Sequence, residues 1–157
     1  MPSAVGRLAA LALVPLICGC ADEQTACTGF ADRKLAVTGA EYRPCASEIL
    51  AALDAMESPL RALVAKKAKD EDQNTARQAY RRLRALIRQT GIEHDYRSFR
   101  PSTVIVKWSD ASVSSFNSAA FTASVQYMAV LAYPNADNLA QGTQAHADAR
   151  RYYRFVR

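Results

Sequence analysis

The sequence predicts a mainly α protein: an antiparallel four-helix bundle with a disulfide-stapled N-terminal segment and one extended segment near residues 103–108. Three observations lead there. Four stretches repeat apolar residues at spacings of three and four, the period of a helix face. Glycine, proline and capping residues punctuate the gaps between them. The connections are mostly short, which suits antiparallel neighbours.

The first helical pattern covers residues 46–69, where Ile49, Leu53, Met56, Leu60 and Leu63 fall on one face. Pro59 interrupts it, and an interior proline costs about 3 kcal/mol. Ser58-Pro59 also suits a helix start, with serine as cap and proline in the first turn. The stretch is therefore one kinked helix or two short ones, and the unbroken apolar phase favours the kink. The second pattern, residues 72–90, is the clearest. Asp70, Glu71 and Asp72 complement the dipole at its start, Ala76, Tyr80, Leu83, Ile87 and Thr90 mark its inner face, and Gly91 stops it. Residues Thr103 to Trp108 are β-branched and aromatic and prefer an extended form. They have no obvious partner strand and would cover one end of the core.

The third pattern runs over residues 110–133, with Val113, Phe116, Ala120, Ala123, Tyr127 and Val130 on one face and Asp110 or Ser109 as cap. Val125, Tyr127, Ala129, Leu131 and Tyr133 also alternate as a strand would, but the residues between them include Met128, Val130 and Ala132, so helix is the expectation. Pro134 breaks the chain and Asn135 restarts it. The fourth pattern, residues 136–155, places Leu139, Gly142, His146, Ala149, Tyr153 and Val156 together. The seams are rich in alanine, which allows close helix packing.

The N-terminus carries an address. One charge, Arg7, precedes the ten-residue apolar stretch 8–17, too short for the roughly 20 residues of a membrane span. A basic start, a short apolar core and then small residues make a secretory signal. The segment Ile17-Cys18-Gly19-Cys20 resembles the lipobox of bacterial lipoprotein precursors: an aliphatic residue, two small ones, then the cysteine that receives lipid. Ile17 and Cys18 are the less common choices at their positions. The resemblance covers about 20 residues and concerns processing. It implies that residues 1–19 are removed and Cys20 is lipidated. Ala21 follows where aspartate would retain a Gram-negative lipoprotein, which implies an outer-membrane anchor facing the periplasm. Ordinary cleavage after Ala21, at Gly19-x-Ala21, is the alternative, and an uncleaved anchor a further one.

This organisation assigns residues 20–44 to lipid anchor, tether and disulfide loop and residues 45–157 to a helical domain, about 138 residues in the mature chain. In an oxidising compartment Cys27 and Cys45 most simply pair, two free thiols being the alternative, and two cysteines make a poor metal site. The bridge closes 17 intervening residues, a stabilisation of roughly 3 kcal/mol by loop entropy. Six residues separate Cys20 from Cys27, so the domain would sit close to its membrane.

Candidate chemistry is sparse. Neither His94 nor His146 belongs to a zinc motif, and nucleophile-elbow and phosphate-loop patterns are missing from the sequence. Glu93-His94-Asp95 is adjacent in sequence, so its members do not face one site, and a solvated loop is the plainer reading. The serines at 109, 112, 114, 115 and 118 lack a nearby base and read as a polar helix face. Met56 and His146 lie on the seams of the first and last helices, neighbours in an up-down bundle. As a pair of residue types they resemble the haem ligands of four-helix b-type cytochromes. A packed methionine and a hydrogen-bonded core histidine is the preferred reading, and no cofactor is expected.

The charge pattern says more. The chain carries +5, or +4 once Arg7 leaves, which suits anionic lipid, lipopolysaccharide or an acidic protein and does not argue for nucleic acid. Arg77, Arg81, Arg84 and Arg88 repeat at 4, 3, 4, with no acidic residue between Ala76 and Ile92. At 100° per residue they fall within about 60° of one another. Arg150, Arg151, Arg154 and Arg157 add a basic terminus. A solvated face, its arginine stems covering the seam, is the plain reading of the stripe. A site for phosphate, lipid headgroup or acidic partner is the functional one. The expectation is a non-enzymatic lipoprotein that binds or scaffolds another envelope component, its partner an envelope protein or anionic lipid. The alternative is a periplasmic inhibitor or immunity protein that neutralises a toxin or hydrolase; the positive charge counts mildly against it for a basic hydrolase.

Overall fold

The computed structural model describes residues 24–33, 37–92 and 110–157. They form four helices: α1 (Gly39–Val64), α2 (Asp70–Thr90), α3 (Ala111–Ala132) and α4 (Ala136–Tyr153). Helix α1 packs along α2 and α3 along α4; the two pairs join through α1 with α3 and α4, and through α2 with α3. Helices α2 and α4 do not meet, so α1 and α3 form the short diagonal of the bundle. Among the described residues there is no strand. The stretch 103–108, Ser109 and Glu93-His94-Asp95 lie outside the described residues.

Helix α1 departs most from the sequence-based expectation. It begins at Gly39, inside the stretch assigned to tether and loop, and ends at Val64 rather than residue 69. The cause is local. Glu41 N–H donates to Thr38 Oγ1 (3.4 Å) and Thr38 N–H to Glu41 Oε2 (3.0 Å), a capping box that starts the helix ahead of Pro44. Pro44 and Pro59 both lie inside one continuous helix, so Ser58 does not begin a second one. Burial decides this. Ile49, Leu53, Met56 and Leu60 are wholly buried on the same face. At about 1.5–3 kcal/mol for each large apolar side chain, they outweigh the roughly 3 kcal/mol that Pro59 costs.

The other elements follow the sequence closely. Helix α2 starts two residues earlier than expected, with the Asp72 carboxylate accepting the Lys69 N–H at 2.8 Å. It ends at Gly91, whose φ of 75° is the left-handed conformation a helix-terminating glycine supplies without strain. Helix α3 is helical throughout, against the competing strand reading. Asp110 caps it by accepting Ser112 N–H at 2.8 Å, and Val113, Phe116, Ala120, Ala123, Tyr127 and Val130 are all buried. Asn135 caps α4 through the N–H groups of Asp137 (2.7 Å) and Asn138 (3.2 Å). Close approach of α3 and α4 depends on Gly142, where a Cβ would lie 2.6 Å from the Tyr127 ring.

Cys27 and Cys45 form a disulfide with Cα atoms 4.6 Å apart. It ties the N-terminal segment to the second turn of α1. The same segment reaches the far end of α2. Ala31 N–H donates to Gln89 O at 2.8 Å, and the Thr25 hydroxyl donates to Gln89 Oε1. Phe30 packs edge-on against Tyr42, whose hydroxyl donates to Asn117 Oδ1 at 2.7 Å. Among the described residues no helix is long and apolar enough to cross a membrane.

Candidate functional site

Two clusters of charged side chains stand out, and they differ in kind. The first lies where α1, α3 and α4 meet. His146, only 1% exposed, is held at both ring nitrogens. Its Nε2 lies 2.8 Å from Asp54 Oδ1 and its Nδ1 3.1 Å from the Tyr127 hydroxyl. A carboxylate only accepts, so Nε2 carries the proton and Nδ1 accepts the phenolic hydrogen. Arg150 donates to the same Asp54 oxygen through Nε (3.1 Å) and Nη2 (2.8 Å), and Nη2 also reaches Glu57 Oε2 at 3.3 Å. Arg61 donates to Glu57 Oε1 at 2.8 Å. Two carboxylates thus face two guanidinium groups around a neutral imidazole.

The titration behaviour follows from that arrangement. Burial, and then the Arg150 charge, hold the His146 imidazole below its usual range despite the carboxylates. The Arg61 hydrogen bond lowers the Glu57 carboxyl. Burial, reinforced by the Glu57 charge, pushes the Tyr127 phenol up to about 12. A nucleophile needs access and a lowered pKa, and a base needs a nitrogen facing substrate. Here the phenol is raised and buried, and both imidazole nitrogens face protein. The cluster acts as a clamp across three helices. Met56 is wholly buried as well, so the haem-ligand pair takes the form of a packed methionine and a hydrogen-bonded core histidine.

The second cluster is the arginine stripe. Arg77, Arg81, Arg84 and Arg88 are all exposed on α2. Among the described residues no carboxylate lies within ion-pair distance of any of the four, whereas Arg33, Arg61, Arg82 and Arg150 each have one. Arg84 borders α3 and shares a shallow cleft with Tyr80, Ile87, Phe121, Val125 and Met128. On the helical wheel the other three stripe residues lie progressively further out from that edge, by about 20–60°. The cleft holds about 60 Å³, far below the roughly 300 Å³ at which small-molecule pockets begin. It is a surface groove with an apolar floor and a cationic rim.

The serine-rich side of α3 forms a broader groove of about 450 Å³ with α4, lined by Ser114, Ser115, Ser118 and Thr122. Its titratable neighbours among the described residues are Asp148 and Tyr152, so the hydroxyls face neither a histidine nor a lysine. Among the described residues no group of three histidine, cysteine or acidic side chains is placed to hold a metal. Sequence reasoning located the stripe, the disulfide and His146. It missed Asp54, Glu57 and Tyr127 as partners of His146, and it assigned Arg150 to a basic terminus. The usable signal was the histidine itself, since a ring on an apolar seam requires polar partners from the helices it faces. No family model, curated protein or solved structure matches this chain.

Proposed function

We propose that this chain is a lipid-anchored, periplasm-facing protein of the outer membrane that binds or scaffolds an anionic envelope component and catalyses no reaction. The anchor is the lipid on Cys20, and the binding surface is the arginine face of α2. One observation carries the reading: four exposed guanidinium groups stand together without a carboxylate among the described residues, in a molecule that pairs Arg61 of α1 and Arg150 of α4 with carboxylates. Each exposed pair would be worth only about 0–1 kcal/mol to the fold. Arginines without such a partner therefore cost the fold little and leave planar, permanently charged donors for an outside partner.

Affinity capture from detergent-solubilised envelope, with proteins and lipids both identified by mass spectrometry, tests the binding surface. Replacement of Arg77, Arg81, Arg84 and Arg88 by glutamine should sharply reduce what is captured at low salt. Equal capture by wild type and the quadruple variant at every salt concentration would mean that the stripe only solubilises the helix. Fatty-acid labelling tests the anchor: Cys20→Ser should abolish the label and Cys18→Ser should not.

A further inference from the structure

We infer that the anionic component is the phospholipid surface of the membrane that carries the chain's own anchor, and that the outer edge formed by α2 and α3 lies down on it. The inference rests on the proposed function and names the partner of the same face. Three observations point to a lipid surface rather than an acidic protein.

The first is chemical pairing. Beside the arginines, Val125 and Met128 of α3 are 40% and 43% exposed, two of the four large apolar side chains that stand exposed among the described residues, the others being Tyr133 and Phe155. Helix α3 contains no charged residue along its 22 positions, so no charge on that flank resists burial among acyl chains and glycerol. A cationic row next to an apolar one is how interfacial helices meet anionic bilayers: guanidinium groups take phosphates, and the apolar row dips beneath them.

The second observation is the tether. Thr25 is hydrogen-bonded to Gln89, the residue after Arg88. Only five residues lead from Cys20 to Thr25, at most about 17 Å of chain. A lipid on Cys20 therefore holds the end of the stripe close to the bilayer, with Arg77 only about 16 Å further along the axis. Acidic proteins receive no such enforced proximity.

The third is polarity along α2. Its carboxylates, Asp70, Glu71 and Asp72, are confined to the first turn, the end away from Gln89 and the tether. The part of α2 nearest the tether carries only cations, and the acidic turn is the part farthest from it.

Methionine oxidation supplies a footprint with an internal control, because Met128 is exposed on the proposed face and Met56 is wholly buried. The full processed chain is reconstituted in vesicles of phosphatidylcholine alone or of a two-to-one mixture with phosphatidylglycerol. It is then exposed to peroxide, and sulfoxide is located by mass spectrometry. Met128 should oxidise severalfold more slowly on the anionic vesicles at low salt. High salt, or glutamine at positions 77, 81, 84 and 88, should restore its rate, while Met56 stays unreactive and reports an intact fold. Equal Met128 rates on both vesicles overturn the inference, as does protection that survives in the quadruple variant. If the rates are equal but wild type, unlike the variant, still captures an acidic protein from the envelope, the arginine face binds anions and only its membrane assignment fails. If capture is also insensitive to the variant, both readings fail.

Discussion

Arg150 and Arg84 sit on the two helices at opposite edges of the bundle, and they meet opposite surroundings. Arg150 of α4 faces α1, which offers Asp54 and Glu57 within 2.8 and 3.3 Å. Arg84 of α2 borders α3, which offers no charged side chain at all. The lesson is that a cation's role is decided by the helix it faces. Against α1, guanidinium becomes part of a neutralised clamp that helps to hold three helices in register. Against α3, it has no carboxylate partner among the described residues and stands beside an apolar surface. Variants that exchange or erase this difference should separate stability from binding.

The largest effect on stability should come from the bridge that holds the N-terminal segment between α1 and the end of α2. Replacing Cys27 and Cys45 together by serine should cost about 3 kcal/mol, read as an earlier denaturant midpoint. It should also weaken binding by freeing the tether that brings Gln89, and with it Arg88, towards Cys20.

Next comes the clamp. His146→Leu keeps most of the volume but removes both imidazole hydrogen bonds, stranding the buried Tyr127 hydroxyl. A loss of about 1–3 kcal/mol follows from an unsatisfied buried group, measured by chemical denaturation. The stripe-dependent capture should be unchanged, because the clamp's hydrogen bonds all run among α1, α3 and α4. A comparable loss of binding would show that the two clusters are coupled.

The pH dependence sharpens the same contrast. The folded His146 pKa lies below its ordinary value of 6.5, so the unfolded chain takes up the proton first. Stability is then full above about 6.5 and declines as pH falls towards the lowered folded value. The Glu57 carboxyl, lowered from 4.5, adds a second decline as pH falls below that point. Urea midpoints across this range should drop in acid for the wild type, and His146→Leu should lack the upper part of the drop. A wild-type midpoint that rises on acidification through 6.5 would contradict the assignment of a neutral, depressed imidazole.

The smallest effect on stability belongs to the arginine face. Glutamine at positions 77, 81, 84 and 88 should change stability by no more than about 0.5 kcal/mol each, since all four are exposed and without carboxylate partners among the described residues. Unaltered circular dichroism and melting, together with lost binding, would complete the separation.

Much of the fold was legible because it is written in local periods. Val113 to Val130 repeat at helical spacing, and each residue of that row is buried where the row predicts. Gly91 stops α2 for a reason confined to its own φ, and Asn135 starts α4 through its own side chain. The start of α1 was also present locally, in Thr38 and Glu41, but Gly39 and Pro44 carried the opposite signal. Only the burial of the face beyond them decides that the helix runs through both prolines.

By itself, then, the sequence determined which residues share a helix face, where most helices begin and end, and that four arginines form one stripe; it made Cys27 and Cys45 the expected pair, which the structure joins. The first three are consequences of 100° per residue and of capping hydrogen bonds. Tertiary structure alone decided which charges are neutralised. Asp54, Tyr127, His146 and Arg150 come from three helices, and their meeting depends on how each helix is rotated about its axis and how closely Gly142 lets α3 and α4 approach. Those rotations minimise exposed apolar surface over the whole bundle, a sum that no single stretch of sequence contains.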